Sequence, residues 1–304
     1  VQGFLNRYNS DGTIDATFKE QSMFRIIISS LNIQSDGKII VTGSQNIVPD
    51  DHIACNYISR LLPDGSIDTT FLQINKTTQR VNATYTCTIQ PDGKIIAGGF
   101  FKEVNTCSAN NFVRLNTDGS LDHTFNKSTG ANGTIRASAI QKNGKIIIGG
   151  NFYAYQYKSR NHIARLTKNG TIDNSFDPGT GLNGPVYGVA VQADGKILIG
   201  GDFTSYNSTP VRNFIRVNTD GTLDNSFQIG NGADDVVNVI KVQSDGKIIV
   251  GGNFQKMNGI NTPALVRLNS NGTIDNSFVP HTLNGGSVQS ILTLSSGKIM
   301  IGGS

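Results

Sequence analysis

Apolar and polar positions along this chain alternate in short runs, never lengthen into a helical stripe, and are broken at regular intervals by glycine. Phe214-Ile215-Arg216-Val217-Asn218 and Thr222-Leu223-Asp224-Asn225-Ser226-Phe227 flank one such break at Asp220-Gly221. A second phrase, Val242 to Gly252, turns at Asp245-Gly246. Asp-Gly or Asn-Gly between apolar runs predicts a tight hairpin, because these residues tolerate the positive φ that such turns require.

Both phrases recur. The first turns at Gly12, Gly65, Gly119, Gly170, Gly221 and Gly272, in steps of 53, 54, 51, 51 and 51 residues. The second turns at Gly37, Gly93, Gly144, Gly195, Gly246 and Gly297, in steps of 56, 51, 51, 51 and 51. A fixed period of this length belongs to propeller blades or solenoid coils. Antiparallel hairpins favour the propeller, since solenoid coils are parallel.

Each repeat predicts four strands, here lettered A to D: Val186 to Gln192, Lys196 to Gly200, Phe214 to Asn218 and Thr222 to Phe227 in one copy. The chain opens with a C–D pair lacking A–B and finishes with an A–B pair lacking C–D. The prediction is an all-β, six-bladed β-propeller of four-stranded antiparallel blades, forming one domain over residues 1–304. Blades fall at about 24–71, 81–125, 133–176, 185–227 and 236–278, and 1–18 joins 287–304 in a composite blade. Pairing of the N-terminal C–D hairpin with the C-terminal A–B hairpin would close the ring and remove open sheet edges.

Composition narrows the function classes. The net charge is +4, yet twelve of the 26 Lys and Arg occupy fixed repeat positions, so they read as framework, and no nucleic-acid partner is expected. No apolar run approaches the roughly 18 residues of a membrane span, so no membrane insertion is expected. The chain reads as a piece of a larger protein or assembly. Of three cysteines, Cys87 falls on an apolar strand as a buried thiol, and a bridge between Cys55 and Cys107 stays open.

Six arginines, Arg7, Arg60, Arg114, Arg165, Arg216 and Arg267, each stand eight residues before an aspartate: Asp15, Asp68, Asp122, Asp173, Asp224 and Asp275. A position repeated in every blade is expected to be a structural ion pair rather than a polyanion-binding ring. Asn116 to Asp122 has the acidic spacing of a calcium loop, but other copies replace its first and central ligands with Leu62, Thr167, Asn169 and Asn271. The four histidines and three cysteines lack zinc-ligand spacing, and no phosphate loop or nucleophile elbow occurs, so neither metal nor cofactor is expected.

The phrase Arg-Leu-Asn-x-Asp-Gly-Ser/Thr-Leu-Asp-x-Ser/Thr-Phe, followed by Gln-x-Asp-Gly-Lys-Ile-x-x-Gly-Gly-x-Phe, resembles the delta-60 repeat β-propellers of bacterial and phage proteins along the whole chain. The first copy departs with Thr42-Gly43 and Gln45, the last with Leu294 and Ser296. The resemblance implies the fold and little about activity.

Length variation and irregular sequence fall in the B–C and D–A loops, and rigid scaffolds carry function on loops. Tyr153, Tyr155, Tyr157, Lys158 and Arg160 are the candidate partner-binding residues, since tyrosine offers an apolar body with a polar tip. The plainer reading is that these tyrosines only pack the loop down. Asn46 to His52 and Lys76 to Arg80 are secondary candidates. The expectation is a non-catalytic recognition or adhesion module of a larger extracellular, cell-surface or virion-associated protein, holding a protein or glycan on the B–C/D–A face. A structural spacer is one alternative; a glycan-active enzyme using Asp50 or Asp51 is another.

Overall fold

The computed structural model describes residues 3–9, 11, 13–19, 21–23, 26–45, 56–72, 83–104, 107–125, 130–280, 286–294 and 297–304. These fall into two compact units, 1–135 and 136–304. Every regular element described is a strand.

In the second unit, Val186–Val191 pairs antiparallel with Ile197–Gly201, which pairs in turn with Phe214–Val217. The same plan recurs in Val237–Val242, Ile248–Gly252 and Leu265–Leu268, and in the sheet built on Thr134–Ile140, Ile146–Asn151 and Ile163–Leu166. Val288–Thr293 and Ile299–Gly303 form a two-stranded sheet. In the first unit, Ile26–Ile33, Ile39–Gln45 and Asn56–Leu61 make one three-stranded sheet, and Ala83–Ile89, Ile95–Phe100 and Phe112–Leu115 another. Gly3–Leu5 pairs with Gln21–Met23.

The middle B strand is where each core sits. Ile197–Gly201 and Ile248–Gly252 are buried at every residue, which explains their unbroken apolar sequence. Each fully buried Ile or Leu there contributes about 1.5–3 kcal/mol. The glycine pair ending the strand answers a close approach: a Cβ on Gly200 would lie 2.4 Å from Val237 Cγ1 of the next sheet, and one on Gly201 2.1 Å from the Pro185 carbonyl oxygen.

One prediction is corrected. Strand D is a single β-bridge, Val217 to Leu223 or Leu166 to Ile172, followed at once by a turn, so these blades carry three strands and not four. The cause is local. The Asp173 carboxylate accepts the backbone N–H of Ser175 at 3.1 Å and its hydroxyl at 2.7 Å, and Phe176 N–H returns to the Asp173 carbonyl. This Asx turn competes with the ladder and wins after one residue.

Candidate functional site

The repeated arginine is held from three sides. Arg165 Nε donates to Asp173 Oδ2 at 2.6 Å, its Nη2 donates to Ser175 Oγ at 3.0 Å, and its guanidinium lies 5.0 Å from the centroid of the Phe176 ring. Arg60, Arg114, Arg216 and Arg267 repeat the pairing with Asp68, Asp122, Asp224 and Asp275 at 2.7–2.9 Å. Arg7 and Asp15 do so at 2.7 Å at a more exposed position. Phe18, Phe71, Phe125, Phe227 and Phe278 lie under the matching guanidinium groups.

A lysine from strand B completes the cluster. Lys94, Lys145, Lys196 and Lys247 each reach the same Asp oxygen at 2.8 Å, and Lys38 reaches Asp68 at 3.3 Å. Sequence reasoning missed this partner, although the spacing of 28 residues from Lys94 to Asp122, Lys196 to Asp224 and Lys247 to Asp275 was a usable signal. Burial pushes the Asp173 carboxyl up, but hydrogen bonds from Lys145, Ser175 and Arg165 outweigh it and hold the group well below the usual carboxylate range. The cluster also ties repeats together, because Arg216 Nη1 donates to the Ser270 carbonyl of the following C–D turn at 2.6 Å. Arg165 likewise donates to the Thr219 carbonyl. All this geometry is spent on the framework.

The B–C loops have an order that the sequence hid. Each is a two-residue-stranded hairpin: Ala154–Tyr155 with Lys158–Ser159, Ser205–Tyr206 with Thr209–Pro210, and Lys256–Met257 with Ile260–Asn261. Glu103–Val104 with Cys107–Ser108 is the counterpart in the first unit. The hairpin folds back onto the C–D segment of its own repeat. Tyr155 Oη donates to the Gly170 carbonyl at 3.0 Å, Ile172 N–H donates to Gln156 Oε1 at 3.2 Å, and Lys158 Nζ donates to Asn174 Oδ1 at 3.1 Å.

This geometry divides the candidate partner-binding residues. Tyr155 is fully buried and burial pushes its hydroxyl pKa well up, so its place among surface contacts is corrected: it anchors the hairpin, as Val104, Tyr206 and Met257 do one period apart. Tyr153 is exposed and packs edge-on against His162, with ring centroids 5.0 Å apart. Tyr157 is 86% exposed at the hairpin tip, with Lys158 exposed beside it. Arg160 is half-buried and donates to the Ser159 carbonyl. Beneath the neighbouring hairpin a cavity of roughly 500 Å³ is lined by Pro210, Val211, Arg212, Ile215, Leu223 and Ile229.

Other candidates resolve simply. His162 is buried with Nδ1 3.1 Å from the Gly150 carbonyl oxygen, and burial lowers its pKa. Cys87 is buried and its thiol is pushed up to about 12. Among the described residues no group of three or more His, Cys, Asp or Glu could hold a metal ion. Cys55, the insert at 46–52 with Asp50, Asp51 and His52, and the loop at 76–80 lie outside the described residues.

Several solved structures share this architecture at low sequence identity. A catalytically inactive virginiamycin B lyase from Staphylococcus aureus, solved with quinupristin, superposes with a TM-score of 0.60 at 16% identity, over 97% of this chain and 83% of that one. XC5397 from Xanthomonas campestris, a gluconolactonase, gives 0.52 at 10% identity over 88% and 80%, and the WD40 β-propeller domain of Doa1 gives 0.52 at 13% over 91% and 89%. At these identities the likeness is one of fold, the β-propeller. No curated protein matches the sequence. The family profile described as "Domain of unknown function (DUF5122) beta-propeller" matches residues 34–71, 90–125, 141–176, 192–227 and 243–278, more than half of the chain; the chain belongs to that family.

Proposed function

We propose that this chain is a non-catalytic recognition module of a larger surface, secreted or virion-associated protein, and that the tips of its B–C hairpins make the contact. Tyr157 carries this reading. It is 86% exposed and sits at φ 61°, where the corresponding residue of another repeat is Gly259 at φ 75°. Left-handed backbone costs an L residue about 1–2 kcal/mol, and a bulky aromatic held there in solvent is retained for something other than folding. The test is a glycan array and a protein pull-down with wild type, Tyr157→Ser and Lys158→Ala. Binding that falls in both variants while the melting temperature holds is expected; interactions untouched by both substitutions would overturn the reading.

Two other readings have specific tests. Fold likeness to a lyase and a lactonase favours asking for turnover on polysaccharides, lost on changing Asp50 or Asp51. A structural spacer would make its contacts along sheet edges and ignore Tyr157.

We also infer that the two half-repeats complete a sixth blade and close the ring. Ile197–Gly201 and Ile248–Gly252 are wholly buried, whereas in the last hairpin Met300 is 52% and Ile301 40% exposed, which supports a missing neighbour. The register that sets Leu198 opposite Arg216 would set Met300 opposite Arg7. Asp15 is the one repeat aspartate lacking a lysine among the described residues, and Lys298 stands at the sixth lysine position. A double-mutant cycle on Asp15→Asn and Lys298→Met should give a coupling of about 0.5–3 kcal/mol if they pair. Strict additivity would reject closure by this contact.

A further inference from the structure

The first strand of these sheets carries a β-bulge near its start. In Val186–Val191 the ladder passes from Val186 to Gly188, leaving Tyr187 unpaired; in Val237–Val242 it skips Asn238, and in Val288–Thr293 it skips Gln289. Arg136 stands one 51-residue period before Tyr187, in Thr134–Ile140. The residue preceding each of these, Ile135, Val186, Val237 or Val288, is aliphatic and buried. The bulge position itself is Arg, Tyr, Asn or Gln and is half-buried or exposed. The bulge is a framework feature, facing the glycine pair of strand B; the side chain it re-aims is where the repeat is free to vary.

These side chains lie near one another. The first strands of successive sheets pack side by side: a Cβ on Gly188 would stand 3.2 Å from the Asn238 carbonyl oxygen, and Asn238 Nδ2 donates to the Val288 carbonyl at 3.3 Å. The Arg136 guanidinium lies 5.3 Å from the centroid of the Tyr187 ring. Asn238 is oriented by a second hydrogen bond, from Nδ2 to Asn253 Oδ1 at 2.9 Å. The row therefore presents a guanidinium stacked on an aromatic ring and two amides on consecutive strands, with no carboxylate at any of the four positions.

We propose that Arg136, Tyr187, Asn238 and Gln289 form a binding row for an acidic oligosaccharide. A stacked guanidinium offers its free edge to a carboxylate in bidentate fashion, and amides donate to and accept from vicinal hydroxyls. A uronic-acid chain supplies both, in repeating order. The inference names a ligand class for the recognition role proposed above, but it lies on the A edge of the sheets, whereas Tyr157 lies with the C–D segment.

Calorimetric titration of a short oligogalacturonate, with a neutral gluco-oligosaccharide of the same length as control, tests it. The wild type should bind the acidic probe in a salt-sensitive way, and Arg136→Gln should weaken binding about tenfold, as loss of a charge-assisted pair does. Gln289→Ala, at an exposed position, should weaken it without touching the fold and keeps the test valid should Arg136→Gln lower the melting temperature. Equal binding of the two probes, no binding of either, or full affinity in both variants would overturn the row. If Tyr157→Ser abolishes binding to a partner while the row variants change nothing, the hairpin reading stands and this one falls.

Discussion

The Tyr155 hydroxyl donates to the Gly170 carbonyl at 3.0 Å, and this bond joins the B–C hairpin to the C–D turn of the same repeat. One period later Tyr206 makes the same bond to Gly221. A loop that would otherwise hang free is thus pinned to the most regular turn of the repeat. Tyr155→Phe should leave the Gly170 carbonyl without that donor and cost about 1–3 kcal/mol, while Tyr155→Ala should cost about 3–5 kcal/mol through the cavity it opens. Denaturant titration checks the order; equal losses would mean that packing alone holds the hairpin.

The two cations on Asp173 should be unequal. Arg165 is 5% exposed and Lys145 31%. Arg165→Met should cost about 3–5 kcal/mol because it leaves a buried carboxylate short of its main partner, and Lys145→Met about 0–1 kcal/mol, as for a surface pair. Chemical denaturation of both variants reads the difference, and a lysine loss equal to the arginine loss would contradict it.

Acid should unfold the protein through these clusters. Burial alone would raise the Asp173 and Asp224 carboxyls, but hydrogen bonds from their Lys, Ser and Arg partners leave both lowered. A carboxyl whose pKa is depressed on folding contributes stability that is fully present above its unfolded value of about 3.9 and is lost as pH falls toward the folded one. The melting temperature should be flat down to about pH 5 and fall below about pH 4, with a shallower fall in Asp173→Asn. An acid limb of unchanged slope in that variant would refute the assignment.

Tyr157→Gly should stabilise the fold. The residue sits at φ 61° and is 86% exposed, so it contributes little burial while occupying a backbone region suited to glycine. The gain should be about 0.5–1 kcal/mol, the left-handed penalty less the extra entropy of glycine in the unfolded chain. Destabilisation on this change would show that Tyr157 packs in solution and serves the fold.

Gly200→Ala should act in the opposite sense. The new methyl would meet Val237 Cγ1 at 2.4 Å, a contact that neither sheet can relieve without shifting. Thermal unfolding should show a loss of about 3 kcal/mol, the upper end for overpacking.

Much of the framework was legible because its determinants are local and periodic. Asp220-Gly221 and Asp245-Gly246 demand positive φ at one residue each, and Gly221 and Gly246 adopt it, at 96° and 83°. The Arg, Asp and Phe positions recur at fixed spacing because the same three-sided contact is built in each copy. The lysine spacing and the Tyr155–Tyr206–Met257 period were equally present in the sequence, but they sit among residues that vary around them.

The sequence by itself therefore determined the repeat, the hairpin turns, the buried middle strand and the identity of the paired charges, since turn chemistry and short-range periodicity set them. Tertiary structure alone decided where the hairpins go and what their tyrosines do. Tyr155 and Tyr157 are two residues apart and chemically identical, yet one is fully buried and the other 86% exposed. Their fates depend on the segment around Gly170 and Ile172, which closes over Tyr155 and Gln156 and leaves Tyr157 in solvent. That choice is made by contacts 14–16 residues away in the chain, beyond the reach of any local pattern.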